Sequence, residues 1–210
     1  YGLLKRSEVG PAHEDFSGAI RLIHDRCKAA GKALVIRDWA HLDYVGTPFL
    51  REPAGHSLLA KRLADDFDPL PHCITRHPLQ QWLSTARLDI MQGRLDFDQF
   101  MRGYRRYAES AVQLGFTRYE DFTTAPEPAL KQITHALQLD FDPQALARWR
   151  GNRHVTGDMS GNSRGSNLST IQPLQQHPID PLLPERCRAN DDYCAAAALL
   201  GYATTSPKPT

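Results

Sequence analysis

Apolar residues recur at helical spacing over residues 15–30, where Phe16, Ala19, Ile20, Ile23, Cys27 and Ala30 make one stripe. This predicts an amphipathic helix that Asp15 can cap and Gly31 can end. The pattern then switches to an unbroken apolar run, Ala33-Leu34-Val35-Ile36, which fits a strand buried on both faces. Residues 57–67 read as a helix with Ser57 as its cap. Cys73-Ile74 reads as a short strand that turns at Pro78 into a helix over 78–91. A longer helix is predicted over 96–114 from the stripe Phe97, Phe100, Met101, Tyr104, Tyr107, Ala111 and Leu114. A short strand over 116–119 follows, then a helix over 126–137 with Pro126 near its first position. Residues 151–184 are rich in Gly, Ser, Asn, Pro and His and have no clear period; a last helix over 184–200 stops at Gly201. Helices alternating with buried apolar strands predict an α/β fold, a three-layer sandwich with a central parallel sheet flanked by helices.

At 210 residues the chain reads as one domain over 1–210, large enough to bury roughly 70% of its unfolded surface. Hydrophobic content of 41% and charged content of 23% are ordinary for a soluble globular protein. The net charge of +1 sets up no bulk field toward nucleic acid or a membrane surface, so any anion site must be a local cluster. No apolar run approaches the ~20 residues that span a bilayer, and no signal peptide is visible. Cys27, Cys73, Cys187 and Cys194 include no CxxC pair. Cys27 and Cys73 read as core thiols. On one shared helix Cys187 and Cys194 would stand about 10 Å apart, too far for a disulfide unless the helix breaks near Asn190-Asp191. A reducing, cytoplasmic setting is therefore expected. The nine His residues show no metal spacing and no HExxH occurs, so no metal is expected.

Two segments have the residue types for anion and proton chemistry. Arg76 ends the 73–74 strand and Ser84 stands two turns into the next helix, so both can converge on one anionic group. In open α/β sheets ligands bind at the carboxyl ends of strands, and the Arg fork can bond two oxygens at once. In the same way Val35-Ile36 leads to Arg37, with His41 four positions later. A His of near-neutral pKa at a strand's end is placed for general-base work. The plainer alternatives are a surface Arg beside a Ser bonded to its own backbone, and an Arg37–Asp38 ion pair with His41 merely packed.

The pattern Arg76-x-Pro78-x₅-Ser84 resembles the 3′-phosphate-binding segment of sulfotransferases that use 3′-phosphoadenosine 5′-phosphosulfate (PAPS). Arg118-Tyr119-Glu120-Asp121-Phe122, followed by Pro126 and a helix ending Ala136-Leu137-Gln138-Leu139, is similar to another stretch of that family. There Leu is usual at Phe122 and Gly is common at Gln138. Glu120 and Asp121 read as structural, because neighbours on a strand point to opposite faces.

The resemblance covers residues 32–170 and implies a P-loop nucleotide-binding type of fold. It implies His41 as base and Arg37, where many members have Lys, as electrostatic helper. Arg76, Ser84 and the late Arg164-Gly165 element would hold the 3′-phosphate, with Ser163 and Ser166 as added donors. The co-substrate would be PAPS, the product 3′,5′-bisphosphoadenosine (PAP), and the acceptor a small-molecule or glycan hydroxyl or amine. The family's phosphosulfate loop, Pro-(Lys/Arg)-x-Gly-(Thr/Ser)-(Thr/Ser), does not occur in the 210 residues and is expected upstream of Tyr1. Two alternatives stay open: a non-catalytic nucleotide- or partner-binding protein of the same fold, and a P-loop kinase-like phosphotransferase. Acceptor contacts are expected from residues 43–56 and 93–104.

Overall fold

The structure is a computed structural model that describes residues 16–148, 170–173 and 179–203. In chain order its elements are α1 (Phe16–Ala29), α2 (Ala40–Tyr44), α3 (Leu58–Leu63), β1 (Cys73–Thr75), α4 (Pro78–Ala86), α5 (Phe97–Leu114), β2 (Phe116–Arg118), α6 (Tyr119–Thr124), α7 (Pro126–Ala136), α8 (Ala145–Arg148), α9 (Leu183–Arg188) and α10 (Asp191–Leu199), with a 3-10 turn at Asp89–Met91. The chain divides into two compact units, Tyr1–Trp39 with Ser57–Pro69, and Ala40–His56 with Leu70–Thr210.

The smaller unit pairs α1 with α3. The Arg62 guanidinium lies over the Phe16 ring at 5.3 Å, Arg21 pairs with Asp66, and His24 meets Phe67 edge-on at 5.4 Å. Ser57 caps α3 by accepting from Ala60 N at 2.9 Å, and its hydroxyl donates to Asp38 at 2.6 Å. The strand expected at Ala33-Leu34-Val35-Ile36 is absent. The segment has no regular structure, and Val35 and Ile36 are 62% and 38% exposed. An apolar run becomes a strand only where a neighbouring strand bonds it, and among the described residues none does.

In the larger unit, β1 and β2 form a two-stranded parallel sheet in the register Cys73↔Phe116, Ile74↔Thr117 and Thr75↔Arg118. The fold is thus mixed helix and parallel sheet. Parallel neighbours need a long crossover, and α4 with α5 supplies it. Phe97, Phe100, Met101, Tyr104, Ala108 and Ala111 of α5 recur every three or four residues and bury one face. Leu79 and Leu83 of α4 and Tyr193, Ala196 and Leu200 from the C-terminal end close the same core. The predicted stripe differs at its end, since Leu114 is 42% exposed. Gly103 is where α2 touches α5: a Cβ there would stand 2.4 Å from the Tyr44 carbonyl oxygen.

Several boundaries depart from expectation: the helix expected over 57–67 ends at Leu63, and the strand expected over 116–119 ends at Arg118. The helix predicted over 184–200 is two helices, because the Asn190 side chain caps α10 at Tyr193 N (2.7 Å) and donates to Asp98 on α5 (2.8 Å). Cys187 and Cys194 are free thiols on either side of that break; burial, reinforced by Cys194, pushes Cys187 up to about 11. The helix predicted over 78–91 ends at Ala86 and resumes as the 3-10 turn. Residues 97–104, expected among the acceptor contacts, belong to α5.

Candidate functional site at the β1–α4 turn

β1 ends at Thr75, so Arg76 and His77 form the whole connection to Pro78, the first residue of α4. Two side chains hold this connection. Tyr104 on α5 donates its hydroxyl to the Arg76 carbonyl at 2.5 Å and accepts from the Arg76 N–H at 3.1 Å. Glu120 on α6 accepts from the His77 N–H at 2.9 Å and from the Tyr202 hydroxyl at 2.6 Å. Tyr104 is buried, and that burial, before any other cause, raises its pKa well above the usual phenol value. It therefore stays a neutral hydroxyl able to donate and accept at once. The Arg76 guanidinium stacks on Tyr119 at 5.1 Å. The His77 ring packs edge-on against Tyr202 at 5.2 Å and beside Tyr193 at 6.2 Å. Burial lowers the His77 pKa; Glu120 and the Ala203 backbone act against that, and Arg76 adds to it.

The first turn of α4 carries no side-chain cap. His77 gives its N–H to Glu120 and Pro78 has none, which leaves the Leu79 and Gln80 amides at the positive end of the helix. Gln80 and Ser84, four residues apart, share one face. Ser84 is half-buried, whereas Gln80 is 4% exposed, and neither its amide nitrogen nor its amide oxygen has a hydrogen-bond partner.

His41 does not follow a strand. It lies in α2, where its Nε2 donates to the Thr47 carbonyl at 2.6 Å and its ring stands 6.4 Å from Phe100. A carbonyl only accepts, so the neutral ring carries its proton on Nε2 and has Nδ1 as its acceptor nitrogen. Burial lowers the His41 pKa, opposed by the bond to Thr47. Arg37 is exposed in the smaller unit and His41 belongs to the larger one. Asp38 does not pair with Arg37; it accepts from Trp39 N at 2.8 Å and from Ser57. Arg164 and Gly165, with Ser163 and Ser166, lie outside the described residues.

Glu120 and Asp121 stand in the first turn of α6 rather than on a strand. They still diverge. Glu120 turns to His77 and Tyr202, while Asp121 takes both arms of Arg118 at 2.8 and 3.2 Å. Gly201 O accepts from the same guanidinium at 3.1 Å, and Tyr202 lies 5.6 Å beneath it. In the sequence Arg76 and Ser84 stand out, Glu120 reads as structural and Tyr104 reads only as part of the α5 stripe, while Gln80 is passed over. The spacing of four from Arg76 to Gln80 and from Gln80 to Ser84 was the available signal for Gln80. A polar cleft of about 480 Å³ lined by Ala54, Gly55, Arg106, Glu109, Ser110 and Gln113 contains none of these residues. Among the described residues no helix is long and apolar enough to cross a membrane. In comparisons with known proteins, no family model, curated protein or solved structure matches the chain.

Proposed function

We propose that the chain is a PAPS-dependent sulfotransferase that moves a sulfuryl group to a hydroxyl or amine of a small-molecule or glycan acceptor. The observation that carries this reading is Arg76, its backbone held by Tyr104 at the carboxyl end of a parallel strand and beside an uncapped helix N-terminus. Such a terminus attracts anions, and a fixed guanidinium adds a bidentate donor. Arg76 and Ser84 would hold the 3′-phosphate, joined by Arg164 and Gly165. Sulfuryl transfer spreads charge over equatorial oxygens much as phosphoryl transfer does, so positioning and fixed positive charge do most of the catalysis. The acceptor's proton would pass to His41. The reading carries with it a three-layer sandwich of the P-loop type and a cytoplasmic setting.

Calorimetric titration with PAP, using AMP as the control that lacks the 3′-phosphate, tests the proposal. Micromolar binding of PAP with much weaker AMP is expected. Arg76→Ala should weaken PAP by about 1.5–3 kcal/mol, the worth of charged hydrogen bonds, and leave AMP unchanged. Equal affinity for the two nucleotides would refute 3′-phosphate recognition.

One observation favours the non-catalytic alternative: His41 already spends Nε2 on Thr47. Under that reading PAP binds as above and no acceptor drives conversion of PAPS to PAP.

A further inference from the structure

We infer that Gln80 is a further ligand-binding side chain of the Arg76–Ser84 site and that it reads the ribose 2′-hydroxyl next to the 3′-phosphate. This rests on the nucleotide reading above. Buried side-chain amides in folded proteins nearly always find partners, yet Gln80 is 4% exposed with both Nε2 and Oε1 unpaired. It is the third residue of α4 and shares a helix face with Ser84. No hydrogen bond ties the side chain inward, so its three torsions can turn it to a ligand without breaking one.

The chemistry of the amide selects the group. A phosphate dianion only accepts, and Arg76 with the Leu79 and Gln80 N–H groups already offers donors for it. An amide presents a donor and an acceptor side by side. A hydroxyl also donates and accepts, and the 2′-hydroxyl sits on the carbon next to the one that carries the 3′-phosphate. Arg76 therefore fits the charge, and Gln80 fits the neighbouring neutral group that separates ribose from deoxyribose.

The test is calorimetric titration of the wild-type chain and Gln80→Met with PAP and its 2′-deoxy analogue. Met keeps the length of the side chain and removes both polar atoms. The wild type should bind PAP about tenfold more tightly than the 2′-deoxy analogue, the effect of one neutral hydrogen bond. Gln80→Met should bind both at the weaker level and melt no lower than the wild type. Undiminished discrimination in the variant, or none in the wild type while PAP still binds well, overturns the role of Gln80 alone. A lower melting temperature with both nucleotides weakened equally makes Gln80 a packing residue and also overturns it. Loss of the PAP-over-AMP preference in the wild type overturns the nucleotide reading itself, and the role of Gln80 falls with it.

Discussion

The Tyr104 hydroxyl bonds both the N–H and the carbonyl of Arg76, so a single side chain on α5 satisfies both backbone polar groups of the residue that follows β1. Tyr104→Phe leaves two part-buried backbone groups without that partner, which should cost about 1–3 kcal/mol of stability. Urea denaturation measures the loss. An unchanged midpoint would mean that this bond does not hold the turn. The same variant should weaken PAP while AMP stays constant, because Arg76 is then less fixed.

His41 separates the two functional readings. If it is the base, His41→Ala should lower turnover of PAPS by about 10²–10⁴-fold, the usual worth of general acid–base catalysis. PAP affinity should stay within about twofold, since the nucleotide is gripped elsewhere. Steady-state kinetics alongside calorimetry checks both. Normal turnover in the variant would exclude His41 from the chemistry and leave it as the anchor of Thr47.

Burial, as the largest cause, lowers the pKa values of His41, His72 and His77 below 6.5. The unfolded chain then takes up protons near pH 6.5 while the folded chain still resists them, so stability rises with pH through that window. The contribution is complete above pH 6.5 and is lost as pH falls through the folded values. His77 is the most buried of the three, and its part of the slope is at most about 1.4 kcal/mol per pH unit. Urea midpoints at pH 7.5 and 5.5 should differ, with the lower one at pH 5.5, and His77→Phe should shrink the gap. Equal midpoints in the parent chain would contradict the assignment.

Gln138 ends α7 with φ 52°, a left-handed backbone. Leu139 N bonds Thr134 O at 2.8 Å and Gln138 N bonds His135 O at 3.1 Å, the Schellman pairing that favours glycine at this position. A side chain in this conformation costs about 1–2 kcal/mol, part of which glycine returns through its freer unfolded chain. Gln138→Gly should therefore stabilise by up to about 1 kcal/mol. Thermal melting shows it, and a lower melting temperature would mean that the Gln side chain earns its place.

Local patterns determined much of this protein. The three-and-four spacing of Phe97, Phe100, Met101, Tyr104 and Ala111 placed α5, Ser57 marked the start of α3, and Gly201, with φ 71°, marked the end of α10. Such signals lie within a turn or two of chain, where hydrogen bonding and steric preference act without help from elsewhere. The Arg76-x-Pro78-x₅-Ser84 pattern was legible for the same reason: its three residues lie within nine positions of the chain.

Tertiary structure decided the rest. Ala33-Leu34-Val35-Ile36 has the composition of a strand but finds no neighbour to bond it among the described residues. Asn190 breaks a helix because α5 brings Asp98 to it. Tyr104 and Glu120 reach the β1–α4 turn across 28 and 43 residues of sequence. Each outcome depends on a partner that only the folded chain brings within hydrogen-bonding distance, and no local pattern encodes a partner that far away.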